Sequence, residues 1–252
     1  MIHLDAGSLA LITVAAFVAA AINAVAGGGS LLSFPALLVA GYSALTANIT
    51  NTVGLVAGYA GGSLGYRREL GGQSQRIVTL GTAGSLGAIL GAFLLTRTPA
   101  QLFQAIVPWL ILTGCALLAA QPAAGRLMTV RRARPEHRGP FLVAVTFVAG
   151  VYAAFFGAGL GVVLLAVLAI FIDDGLQRLN ALKGVLSLLF NVVAAVYFVV
   201  FAPVAWQAVA VMLPAGFLGG FAGVAVARRL PSDVLRIAVV AFGIAVAIRL
   251  LL

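Results

Sequence analysis

Apolar positions in this chain fall in long unbroken runs rather than in alternation, and the polar positions gather in short gaps and a few isolated clusters inside those runs. Runs of this length predict helices that cross a bilayer, because a span takes about 20 residues, and the lack of alternation argues against a barrel. In the first half the pattern predicts helices over about 8–26, 30–40, 43–65, 76–96 and 100–119. The short second run would reach only about 16 Å at 1.5 Å per residue, half of a bilayer core. It is expected to fold back on the first helix as a hairpin, with Gly27-Gly28-Gly29 at the bend.

The same pattern then returns. A shift of 132 residues places Gly27 on Gly159, Gly29 on Gly161, Asn48 on Asn180, Asn51 on Lys183, Gly84 on Gly216, Gly87 on Gly219, Gly91 on Gly223 and Pro99 on Pro231, with no gap between them. Internal symmetry of this kind is common in secondary transporters, whose substrate site lies between the repeats. The division expected is a first transmembrane repeat over 1–120, a basic cytoplasmic linker over 121–139 and a second repeat over 140–252. The linker holds Arg126, Arg131, Arg132, Arg134 and Arg138.

Composition agrees with a membrane protein: 63% of the residues are hydrophobic and 8% charged, against a charged fraction of about a quarter in soluble domains. The net charge of +9 is almost all arginine in the segments between runs, so it reads as orientation in the lipid bilayer rather than affinity for nucleic acid. If each hairpin enters and leaves on one side, the second repeat is upside down. Arg67, Arg68, Arg76, the five linker arginines, Arg178, Arg228, Arg229 and Arg236 then share one side, against Arg97 and Arg249. That distribution satisfies the positive-inside rule and puts both termini outside. The fold expected is an all-α polytopic membrane protein of two inverted-topology repeats, each a glycine-broken helical hairpin plus three membrane-spanning helices. The leader Met-Ile-His-Leu-Asp lacks Lys and Arg, so the first run is kept as a helix rather than read as a signal. Lone Cys115 and the isolated His3 and His137 suggest neither a disulfide nor a metal, and no cofactor is expected.

Candidate chemistry centres on Lys183, the only lysine, set in the apolar stretch Asn180-Ala-Leu-Lys183-Gly-Val-Leu. Asn180 and Lys183 share a helix face, as do Asn48 and Asn51, and the two faces are expected to meet across the symmetry axis. With Asp174 as cap, Lys183 would lie nine residues into its helix. All six acidic residues (Asp5, Glu69, Glu136, Asp173, Asp174, Asp233) read as loop or helix-end positions, which leaves the ammonium without a protein carboxylate and points to an anionic partner. Snorkelling of Lys183 to the interface is the competing placement. Gly27, Gly28, Gly29 and Ser30 open a half-helix whose N–H groups suit an anion, and Gly157, Gly159 and Gly161 repeat the device. Asn191 is a further candidate; Asn23, Thr50 and Thr52 stand evenly between lining a cavity and bonding backbone, and Thr52 is kept among the site residues. Glycine pairs such as Gly54/Gly58, Gly87/Gly91 and Gly219/Gly223 read as helix packing.

Ala-Gly27-Gly-Gly29-Ser-Leu-Leu-Ser-Phe-Pro35, Ala-Asn48-Ile-Thr-Asn51-Thr, Phe-Phe-Gly157-Ala-Gly159-Leu-Gly161 and Leu-Asn180-Ala-Leu-Lys183 together resemble the sulfite exporter TauE/SafE family of membrane transporters. The resemblance covers nearly the whole chain. It implies a bacterial inner-membrane carrier of small sulfur-containing anions such as sulfite or organosulfonates, with export suggested by the family's name. Gly184 departs from the family's pattern, in which an Asn often follows the lysine. The readings set against a transporter are an intramembrane enzyme and a scaffold without cargo. The first would need a His-Glu-x-x-His pattern or a membrane acidic pair, which the chain lacks, and the second leaves Lys183 and both glycine breaks without a purpose.

Overall fold

The computed structural model describes residues 5–130, 139–227 and 232–251. Among them all regular structure is helical: α1 (Ala6–Val25), α2 (Ser30–Val39), α3 (Ala44–Gly65), α4 (Ser74–Arg97), α5 (Ala100–Val130), α6 (Gly139–Phe155), α7 (Leu160–Phe171), α8 (Leu176–Phe201), α9 (Trp206–Ala227) and α10 (Ser232–Leu251). The protein is a multi-pass membrane protein in which five helices, α1, α4, the first 21 residues of α5, α8 and most of α9, are long and apolar enough to cross a bilayer. Their outer faces carry exposed apolar side chains, including Val14, Val78, Trp109, Val196 and Phe201, where lipid replaces water as solvent. The helix expected over 100–119 continues to Val130, into the basic linker. Arg131, Arg132, Arg134, Arg138, Arg228, Arg229 and Pro231 lie outside the described residues.

Local sequence explains the ends of these helices. Asp5 accepts the Ser8 N–H and Ser43 the Thr46 N–H, each a side-chain cap on orphan donors of a first turn. α1 and α6 stop at glycine: Gly27 and Gly157 hold φ of 75° and 71°, which L side chains adopt only under strain. Each sends its N–H back five residues, Gly27 to the Ile22 carbonyl and Gly157 to that of Tyr152, and the chain then turns into α2 or α7.

Those bends correct the register. α8, α9 and α10 start 132 residues after α3, α4 and α5 (44 to 176, 74 to 206, 100 to 232). At the bends the displacement is 130: Gly27 corresponds to Gly157, and Gly29 to Gly159. The ungapped match of Gly27 to Gly159 and Gly29 to Gly161 therefore fails there. α7 holds 12 residues where α2 holds 10, and the two extra residues restore the larger spacing.

The halves interleave rather than sit side by side. α9 packs on α1 and α3, while α4 packs on α6 and α8. Gly87 and Gly91 lie against the backbone at Phe147 and Val151, and Gly219 and Gly223 against that at Phe17 and Ala21. Without a hydrophobic force between helices in lipid, such small residues let backbones come close enough for dispersion to hold them. α3 and α8 cross with opposite directions. Gln73, after α3, donates its Nε2 to the Arg178 carbonyl at the start of α8 over 3.0 Å, and Arg178 donates to the Gly71 carbonyl over 3.0 Å. At the other end the Ala205 N–H, past α8, donates to Thr50 Oγ1 over 3.1 Å, near the start of α3.

Candidate functional site

Asp174 does not cap α8, contrary to expectation. The N-cap is Gly175, with no side-chain bond, and the carboxylate of Asp174 instead takes Arg76 at 2.7 Å and Arg178 at 2.8 Å. Burial alone would raise its pKa, but the hydrogen bonds from Arg76, the Gly175 N–H and Arg178, with the charge of Arg178, outweigh that and lower it. α8 starts at Leu176, so Lys183 stands seven residues in, about 10 Å along the axis.

Lys183 does not reach an interface. It is 2% exposed, and its Nζ donates to Asn180 Oδ1 at 3.1 Å and to the Asn23 carbonyl at 3.3 Å. Both acceptors are neutral. An ammonium carries three donors, so two named bonds leave a third N–H for the cavity beside it. The carboxylate of Asp174 is taken by Arg76 and Arg178 and not by Lys183.

The Asn23 side chain performs a second task at the same place. Its Oδ1 accepts the N–H groups of Gly28 at 3.0 Å and Gly29 at 2.7 Å, and its Nδ2 donates to the Tyr59 hydroxyl at 3.3 Å. The donors that open the first half-helix are thus held by a neutral amide oxygen, in the position an anion would take. In the other half, Asn48 donates to the Phe155 carbonyl at the end of α6 over 2.9 Å. Each polar face therefore holds the end of the opposite half's first helix.

The two breaks also meet. A Cβ on Gly27 would lie 2.5 Å from Gly161 Cα and 2.9 Å from Val162 N, and one on Gly161 would lie 2.7 Å from Gly27 Cα and 3.6 Å from Lys183 Cδ. Only glycine at both positions permits this approach.

Two cavities flank the contact. Asn23, Gly27, Gly161, Asn180, Lys183 and Tyr59 are among the residues that line the first. The second is lined by residues that include Ser30, Asn51, Thr52, Tyr59, Gly157 and Asn191. Their linings are related by sequence spacing: Lys183 and Asn51, Gly184 and Thr52, and Ser187 and Leu55 are 132 apart, while Gly27 and Gly157, and Asn23 and Ala153, are 130 apart. Tyr59 lines both cavities, and its own counterpart is Asn191.

Lys183 and Asn51, expected to face each other, thus line different cavities. Gly28, Gly29, Asn48 and Gly159 line neither: Gly28 abuts Leu118, Gly29 the carbonyl of Ala19, Gly159 that of Gly114, and Asn48 holds α6. Thr52 Oγ1 donates to the Asn48 carbonyl and Asn191 Nδ2 to that of Ser187. Tyr59 was not among the candidates, and Asn23 stood there only on even terms. The repeat itself marks Tyr59, since Asn191 minus 132 is 59.

Residues 12–250 match the family model described as sulfite exporter TauE/SafE. A probable membrane transporter protein, ORF9, of a Sinorhizobium species is 30% identical over 96% of this chain and 92% of its own length. A probable membrane transporter protein of Haemophilus influenzae is 27% identical over 85% of this chain and 83% of that protein. The probable membrane transporter protein YfcA of Escherichia coli K12 is 27% identical over 82% of this chain and 76% of that protein. No solved structure matches.

Proposed function

The chain belongs to the sulfite exporter TauE/SafE family of membrane transporters, and from that premise we propose that it is a secondary carrier of small sulfur-containing anions such as sulfite or an organosulfonate. The two halves, 1–120 and 140–252, act as inverted repeats that alternate access to a site between them, with export as the direction the family's name indicates. The observation that carries this reading is Lys183: a buried ammonium beside a cavity, held among the described residues by two neutral oxygens.

An uncompensated buried cation is unfavourable by several kcal/mol, roughly, unless a partner arrives. Among the described acids, Asp5, Glu69, Asp173 and Asp174 lie at helix ends or in connections, and Asp233 is the second residue of α10. The cargo itself then completes the site, as an anion bound to the free N–H of Lys183. Gly27 and Gly161 keep that pocket open and give it a deformable wall, since the backbone bends at Gly27 without a side chain in the way.

Inversion draws support from the opposed directions of α3 and α8, which occupy equivalent places in the two halves. Arg76 and Arg178 meet on one carboxylate, so the connection before α4 and the connection before α8 belong to one side of the membrane, as the arginine distribution requires.

The experiment is ligand-induced stabilisation of the purified protein across sulfite, sulfate, alkanesulfonates, chloride and carboxylates of similar size. A ligand at 100 times its Kd raises apparent stability by about 2.7 kcal/mol. Selective stabilisation by sulfite or a sulfonate is the expected result. Equal response to all of them, or to none, would contradict the assignment.

A further inference from the structure

The second cavity has an unmet demand opposite in sign to that of the first. Asn51 is 3% exposed, and its Oδ1 is buried and accepts no hydrogen bond from the described residues. A buried acceptor without a donor loses its full solvation, which is why nearly all such atoms in folded proteins have a partner. The oxygen belongs to a residue lining a cavity that also holds Ser30, Thr52, Tyr59 and Asn191, all neutral and all polar.

Where the first half-site has the ammonium of Lys183, its equivalent has a side chain with a free acceptor. Tyr59 lines both cavities, which makes them neighbours, and its hydroxyl accepts from Asn23, which also lines the lysine cavity. We infer that Asn51 and its neighbours form a second subsite, which receives a hydrogen-bond donor carried by the same anion that binds Lys183, so that the preferred cargo is a hydroxyl-bearing sulfonate rather than a bare one. This rests on the anion-carrier reading and specifies its substrate class.

The physical case is one of complementarity. In the lysine cavity the ammonium of Lys183 selects negative charge. A donor on the cargo would satisfy Asn51 Oδ1, and a cargo without one would leave that atom unpaired in the bound state. Sites built to bond a polar group reject the analogue that lacks it far more strongly than apolar pockets discriminate size.

The test uses ethanesulfonate and 2-hydroxyethanesulfonate on the full-length protein in detergent, with Kd from ligand-induced stabilisation. The wild type should bind the hydroxyl compound roughly five- to tenfold more tightly, the value of one hydrogen bond. Asn51→Ala should erase that preference while leaving the Kd for ethanesulfonate within about twofold, and Asn51→Asp, close to isosteric, covers the case in which the alanine variant does not fold. The aspartate retains a larger hydroxyl preference than alanine, because its oxygens accept more strongly. Equal affinity of the wild type for the two compounds overturns the subsite while sparing the anion site. A preference that survives in both variants likewise overturns it. No stabilisation by either compound or by sulfite contradicts the carrier reading itself.

Discussion

Lys183 Nζ lies 3.3 Å from the main-chain oxygen of Asn23, so the one lysine of the chain donates to the last turn of a helix 160 residues earlier, four residues before the Gly27 bend. Two functions share that turn. Its backbone holds the ammonium, while the side chain of Asn23 holds the N–H groups of Gly28 and Gly29. An anion that draws Lys183 away from the carbonyl would act directly on the bend at Gly27.

Asn23 separates these roles. Asn23→Ala orphans two buried N–H groups and should lower stability by about 1–3 kcal/mol. Asn23→Asp keeps an acceptor for both N–H groups but sets a carboxylate in the cavity of Lys183. The expected outcome is near wild-type stability with anion affinity reduced at least about tenfold, because the cation is already neutralised. Thermal unfolding with and without sulfite measures both. Undiminished affinity in the aspartate variant would show that Asn23 and the cargo do not compete.

Gly27 and Gly41 form a matched pair for the glycine contact. Both have positive φ, 75° and 94°, but a Cβ on Gly41 meets nothing within 4 Å, whereas one on Gly27 runs into the backbone of Gly161 and Val162. Gly41→Ala should cost about 1–2 kcal/mol through backbone strain alone. Gly27→Ala should cost more than about 3 kcal/mol, because backbone atoms cannot rotate aside. Yield and Tm of the two variants compare them; equal losses would contradict close approach of the two breaks.

Asp174 links the ends of α4 and α8 and titrates in acid. Its folded pKa is lowered, so the stability it adds is fully present above the unfolded carboxylate value, about 3.9, and is lost as pH falls through the lower folded value. Asp174→Asn should remove this acid-side dependence and flatten the unfolding profile between about pH 5 and pH 2. Because both arginines are more than a third exposed, high salt should shrink the difference. An unaltered acid limb in the variant would place the linkage elsewhere.

Orientation is open to direct measurement. Reporter fusions at either terminus should read periplasmic, and an insertion within 121–139 should read cytoplasmic. Cytoplasmic signals at both termini would reverse the layout.

Much of this architecture was legible in the chain because bilayer spans and glycine breaks leave strong marks. The helix expected over 43–65 is found as Ala44–Gly65, and that over 76–96 as Ser74–Arg97. The two-residue insertion in α7 left no mark, since it falls within a run of apolar residues where one more Leu or Val changes nothing visible. Asp174 misled because a short acid before a helix suits a cap, while its actual partner, Arg76, lies 98 positions away. The neutral plug supplied by Asn23 was hidden for a similar reason. An Asn late in an apolar helix is compatible with a backbone bond, and only the turn at Gly27 brings Gly28 and Gly29 round to it.

The central claim is that the ammonium of Lys183 is retained for an anion rather than for the fold. Lys183→Met keeps the length of the side chain and removes the charge, and apolar replacement of a buried ion is often neutral or stabilising. The decisive measurement is sulfite or sulfonate flux into proteoliposomes containing this variant, alongside its Tm. The account predicts a Tm equal to or above that of the wild type with flux reduced at least about a hundredfold. Wild-type flux in a correctly inserted Lys183→Met protein would contradict it.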